Sequence, residues 1–169
     1  MSKTGDAPAG KLLKYTSYLF KNPNISEKEF HDHWRNHHAR YPLEAFKKHG
    51  VVRYTQYHCT EATRNLLTPM VEGRKNNPAA ILKMEILPVD AIVQIWYDSQ
   101  ETWQAVAKEP IFGNAIFEDE AYLFDCSRCY ATLGWEEDMV VDTQIVMPGD
   151  RLSSCQCQCR KCDADCPAK

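Results

Sequence analysis

Four of the six histidines, His31, His33, His37 and His38, fall within eight residues of the run SEKEFHDHWRNHHARYPLEAFKKHG, Ser26 to Gly50. Imidazole gains and loses a proton near neutral pH, so such a cluster offers general acid–base chemistry wherever it lines a pocket. His33 and His37 are four apart, a spacing that can hold zinc. A catalytic zinc needs a third protein ligand, and Trp34 follows His33, so the HExxH pattern is absent. Metal dependence is the weaker reading, and neither metal nor cofactor is expected.

A helix must gather these groups. Ser26 and Glu29 form a capping-box pattern, and Phe30, Trp34, His37, His38 and Tyr41 recur at steps of three and four along one face. Tyr41 precedes a proline, which predicts an end near Arg40. Pro42 then opens a short second helix that stops at Gly50. His31 and His49 read as solvated surface residues.

Strands are expected over Lys14–Phe20, Val51–Cys59, Asp90–Tyr97 and from Ser127 to about Leu133. Alternation sets Tyr54, Gln56 and His58 on one face of the second strand and Arg53, Thr55 and Tyr57 on the other. Ser99 caps a helix over QETWQAVAKE that Pro110 closes, and Phe112–Phe124 holds an acidic turn at Glu118-Asp119-Glu120. Val140–Met147 reads as an edge strand or extended arm. The long connection Thr60–Pro88, with a helical turn around Ala62–Met70, has the length of a lid or binding loop. Strand, helix, strand, strand, helix, strand is the split βαβ plan: an α+β, ferredoxin-like fold, with a four-stranded antiparallel sheet and helices on one face. Its other face needs a cover, for which a second copy is the simplest choice.

With 169 residues, 44% of them hydrophobic, the chain fits one folded domain over 13–147, a flexible start over 1–12 and a tail over 148–169. A net charge of −3 gives no reason to expect nucleic acid or a membrane surface as partner. No apolar run approaches the roughly 20 residues that span a bilayer, and the start carries no hydrophobic signal, so a cytoplasmic protein is expected. Five of the eight cysteines, Cys155, Cys157, Cys159, Cys162 and Cys166, crowd the tail. Thiolates so spaced can bind zinc or copper(I), but no histidine or apolar material accompanies them.

The segments EFHDHWRNHHA, GVVRYTQYH, the IWY strand with its helix, and Asp119-Glu120 before Phe124-Asp125 match a family pattern in order. The chain resembles the fungal EthD-domain proteins from about Lys14 to Val146. In that family a tryptophan is followed four residues later by histidine and alanine, here Trp34, His38 and Ala39; the proline that usually comes next is delayed here to Pro42. The resemblance implies a dimeric α/β barrel and a cofactor-free lyase of aromatic polyketide pathways. Its members resemble decarboxylases of anthraquinone-type carboxylic acids and dehydratases of hydroxylated naphthopyranones.

Either reaction needs an acid, a base and a flat pocket. A β-keto acid loses carbon dioxide when its carbonyl is hydrogen-bonded, because the electrons then settle as an enol. A β-hydroxy ketone loses water when a base takes the α-proton and an acid protonates the leaving hydroxyl. His38 and His58 are the acid–base candidates, Tyr54 the carbonyl donor and Asp119 an orienting carboxylate. Trp34, Tyr41 and Trp96 are the candidate substrate-binding residues. Each also has a plainer reading: His38 packed beside Trp34 and Tyr41, His58 an exposed strand end, Tyr54 and the tryptophans core, Asp119 a helix cap. Other classes stay open. One is a cofactor-free anthrone-type oxygenase; another is a non-catalytic carrier of hydrophobic metabolites.

Overall fold

Strands β1 (Leu13–Lys21), β2 (Arg53–His58), β3 (Ala91–Tyr97) and β4 (Phe124–Gly134) form one antiparallel sheet in the order β2-β3-β1-β4. The computed structural model describes residues 7–113 and 115–146. This is the ferredoxin-like α+β arrangement that the order of predicted elements requires. The chain has a compact body through Glu136 and a second unit from Glu137. In that second unit β5 (Val140–Val141) and β6 (Gln144–Ile145) make a small hairpin across Asp142 and Thr143, at φ of 47° and 66°. Two positive φ values in a two-residue turn match the right-handed twist of the flanking strands. The cysteine-rich run of the tail lies outside the described residues.

Register assigns each side chain to a face. His58, Ala91, Leu19 and Cys129 lie across from one another, as do Tyr57, Ile92, Tyr18 and Tyr130 one position along. The first row faces the helices. There Ile25, Phe30, Trp34, Ala91, Leu123 and Phe124 make one buried cluster, and Leu13, Phe46, Ile95, Tyr97 and Val106 another. Full burial of an aromatic such as Phe30 contributes about 1.5–3 kcal/mol. The second row lies on the far face, where Tyr57 and Tyr130 are exposed.

The helices on the near face are α1 (Glu27–Asn36), α2 (Leu43–His49), α5 (Gln100–Ala107) and α6 (Ala115–Leu123); between them in sequence, α3 (Glu61–Asn65) and α4 (Thr68–Lys75) occupy the long connection. Ser26 Oγ accepts the Glu29 amide at 3.1 Å, so the cap forms. Its reciprocal half does not, because the Glu29 carboxylate instead accepts the Tyr122 hydroxyl at 2.5 Å. The helix also stops earlier than the proline alone predicts. His37 is its C-cap, and His38–Arg40 form a single tighter 3-10 turn. That turn rotates His37 out to solvent and His38 inward, so the two do not share a buried face.

The acidic segment expected as a turn is α6. Its inward positions Ile116, Asp119, Glu120 and Leu123 follow helical spacing, but two are carboxylates, which hides the apolar stripe. Among the described residues no helix is long and apolar enough to cross a membrane.

Candidate active site

A cavity of about 380 Å³ opens between the helices and the near face of the sheet. Its walls are aromatic and aliphatic: Tyr15, Phe46, Trp103, Phe112 and Phe124, with Val93 and Ile95 from the strand floor. Tyr15, Trp103 and Tyr97 stack in sequence, with ring centroids 5.5 and 5.6 Å apart and planes within 20°. Trp103 is held there because it lies one helical turn before the buried Val106 on α5. This stack fixes the Tyr15 and Trp103 rings in the cavity wall, and an aromatic wall of this kind suits a flat polycyclic ligand.

The polar groups that line this space come from several elements, with Ser17, Asp125 and Arg128 among them. His38 reaches it from the 3-10 turn, Tyr54 from β2 and Glu120 from α6. His38 is buried, and its Nδ1–H donates to Asp119 Oδ2 at 2.7 Å. A carboxylate only accepts, so the proton sits on Nδ1, and neutral His38 keeps a basic lone pair on Nε2. Burial lowers the pKa of His38; the Asp119 carboxylate opposes this, and the charge of His33 adds to it. At neutral pH His38 is therefore a base.

The acids of the cavity are tuned the other way. Glu120 is raised by burial and by the neighbouring Asp119 charge, which favours its protonated, donating form. Burial raises Tyr54 as well, so it remains a phenol. Its oxygen accepts from Gln56 Nε2 at 3.1 Å, and the same amide donates to the Trp34 carbonyl at 3.1 Å. Tyr54 is thus positioned by the backbone of the first helix.

The other predicted site residues are placed elsewhere. Asp119 stands behind His38, facing an outer groove that it shares with His33 and Tyr41. Tyr41 meets His38 edge to face at 6.2 Å from that side and does not line the cavity. Trp34 is wholly buried against Phe30 and is core. Trp96 is not a cavity wall: strand alternation turns it to the far face, where Lys14 and Arg53 lie over its ring and Nε1–H donates to Glu136.

His58 shares the near face with Tyr54, as alternation predicts, but it is too far along β2 to enter the cavity. Its Nδ1 is 2.8 Å from His31 Nδ1, and its ring packs against Trp34. His31, expected in solvent, is buried in this pair. His49 is half-buried rather than free, with Nε2–H on Glu109 at 2.5 Å. Nothing from the 60–88 connection lines the cavity. Arg64 instead closes the ends of that connection by donating to the Cys59 and Val89 carbonyls at 2.6 and 2.7 Å.

Three groups escaped the sequence reading. Glu120 reads from sequence only as part of the acidic turn, and Trp103 only as core. Arg128, the one Lys or Arg among the residues lining the cavity, lies on β4 with Nε–H donating to Asp125 at 2.8 Å. No motif marks any of the three; alternation on β4 would turn Arg128 away from Cys129, and the register there shifts between Leu19 and Lys21. Among the described residues, no set of three or more His, Cys, Asp or Glu is arranged to hold a metal.

Comparison with known proteins adds names. The chain is 28% identical over 135 residues to Dehydratase aurZ of Gibberella zeae, covering 80% of this chain and 84% of that protein. It is 25% identical over 147 residues to Decarboxylase claH of Passalora fulva, covering 83% and 90%. An ethyl tert-butyl ether d (EthD) family protein of Bacillus halodurans aligns by structure with a TM-score of 0.46 at 16% identity, over 75% of this chain and 99% of that one. The family model described as EthD domain matches residues 22–127, well over half of the sequence. The chain belongs to the EthD domain family.

Proposed function

We propose that the protein is a cofactor-free lyase that removes carbon dioxide from an aromatic polyketide carboxylic acid. The observation that carries this reading is His38, its Nδ1 tied to Asp119 and its Nε2 left to a flat aromatic cavity. The similarity to proteins named decarboxylase and dehydratase supports a lyase. In the reaction Tyr54 or Glu120 hydrogen-bonds the ketone beside the carboxylate. The carbon–carbon bond to the carboxylate breaks, and its electrons settle as an enol instead of a bare enolate. His38 then carries the proton that returns the enol to the ketone, and solvent supplies the proton consumed.

Dehydration is the second reading, favoured by the opposite displacement of His38 and Glu120. A base whose pKa is lowered and an acid whose pKa is raised, both lining one cavity, suit the two jobs of taking an α-proton and protonating a leaving hydroxyl. Mass analysis of reactions with aromatic polyketide acids and hydroxy ketones separates the two. Loss of carbon dioxide supports the first reading and loss of water the second. Oxygen uptake in place of either would point to an oxygenase, and tight binding without turnover to a carrier.

A further inference from the structure

Asp119 uses both of its oxygens, one on a residue of the cavity and one on a residue of the outer groove. Oδ1 accepts from His33 Nε2–H at 2.7 Å, while Oδ2 holds His38 at 2.7 Å. One carboxylate therefore bridges two imidazoles, one inside the cavity and one in the outer groove. The inner pair is nearly closed to water: the side chains of His38 and Asp119 are 10% and 11% exposed, against 27% for His33. His33 shares the groove with Tyr41, Glu118, Asp119 and Tyr122. The His37 and Tyr122 rings lie 4.9 Å from its own, and Glu29 holds the Tyr122 hydroxyl. The charged groups acting on His38 are Asp119 and His33.

We propose that His33 is a positioning residue that fixes Asp119 and, through it, sets the tautomer and basicity of His38 from the solvent side. The role rests on the acid–base reading of His38. A carboxylate shared with His33 has less charge left to stabilise a His38 imidazolium, and the charge of His33 opposes that imidazolium directly, so His38 stays a free base to lower pH. His33 touches no cavity wall, so its contribution is to turnover and its pH dependence, not to ligand affinity.

The test titrates the ring nitrogens of His38 by NMR in wild type, His33→Gln and His33→Ala, without substrate. Glutamine keeps a donor to Asp119 and removes the charge; alanine removes both. Wild type should show His38 protonated at Nδ1 when neutral. Both variants should take up the second proton at higher pH, by at least about half a unit, and His33→Ala should in addition populate the Nε2–H tautomer. With a turned-over substrate, the acid limb of kcat should move up by the same amount while KM stays put. Superimposable His38 titrations and tautomers in all three proteins would overturn the proposal. If His33→Ala fails to fold, the glutamine variant alone decides. Absence of turnover by wild type would sink the lyase reading, whereas the titration judges His33 by itself.

Discussion

At the scale of single residues, the division of labour among the six histidines is set by what each ring nitrogen touches. His38 has one nitrogen on Asp119 and one toward the cavity, so His38→Ala should lower kcat by about 10²–10⁴-fold with KM little changed. Steady-state kinetics with the identified substrate check this, and an equal rate would remove His38 from the mechanism. The His31–His58 pair has a different consequence. Burial, with His31 and Arg35 nearby, lowers His58 from 6.5 to about 4. The unfolded chain therefore takes up the proton first. Stability is intact above pH 6.5 and is lost as the pH falls through the window toward 4. Allowing for partial solvent access, the loss is about 2 kcal/mol. His58→Gln should flatten this slope, read as the difference between urea melts at about pH 7 and about pH 4.5. An unchanged slope would mean that the pair opens without cost.

At the scale of elements, what could be read from sequence was whatever repeats with a period. Alternation on the strands put Tyr54, Gln56 and His58 together and, by the same count, would have set Trp96 opposite Ile95, away from the helices. The cap at Ser26 and the stop at Gly50 were equally legible, because local chemistry decides them, and the succession of strands and helices pointed to the split βαβ plan. The fold was thus plain, and the site only in part. Helix α6 was missed since its inward stripe carries Asp119 and Glu120 where apolar residues would have marked it. The His31–His58 contact joins residues 27 apart in sequence, and nothing local announces it. Helix α2 shows how an element feeds the site: it brings Phe46 to the cavity wall, and it ends on Gly50 at φ 77°. No atom would crowd a Cβ there, so the cost of Gly50→Ala is the left-handed backbone itself. The variant should lose about 1 kcal/mol, or roughly 2–4 °C in Tm, by calorimetry. A loss several times larger would show that α2 cannot keep its place without that cap.

At the scale of the whole molecule, the two faces of the sheet have unequal fates. Helices cover one and enclose the cavity. Across the other runs a row made by all four strands, Tyr57, Ile92, Tyr18 and Tyr130, flanked by Phe20 edge-on to Tyr130 at 6.1 Å. Tyr57 and Tyr130, at the two ends of that row, are 60% and 61% exposed. Aromatic side chains so placed are costly to leave wet and are typical anchors of an interface. We expect a second copy to cover them, the sheets meeting face to face about a two-fold axis, since a symmetric pairing lets one patch serve both partners. A stable pairing of this kind buries about 800 Å² on each side. Sedimentation equilibrium should then give twice the chain mass for wild type. Replacing both Tyr57 and Tyr130 with glutamate should give the single-chain mass, because each partner would meet its own charges across the axis. The cavity lies on the opposite face, so the double variant should still bind an aromatic ligand. A wild-type protein that sediments as one chain would leave the tyrosine row without the partner argued for it.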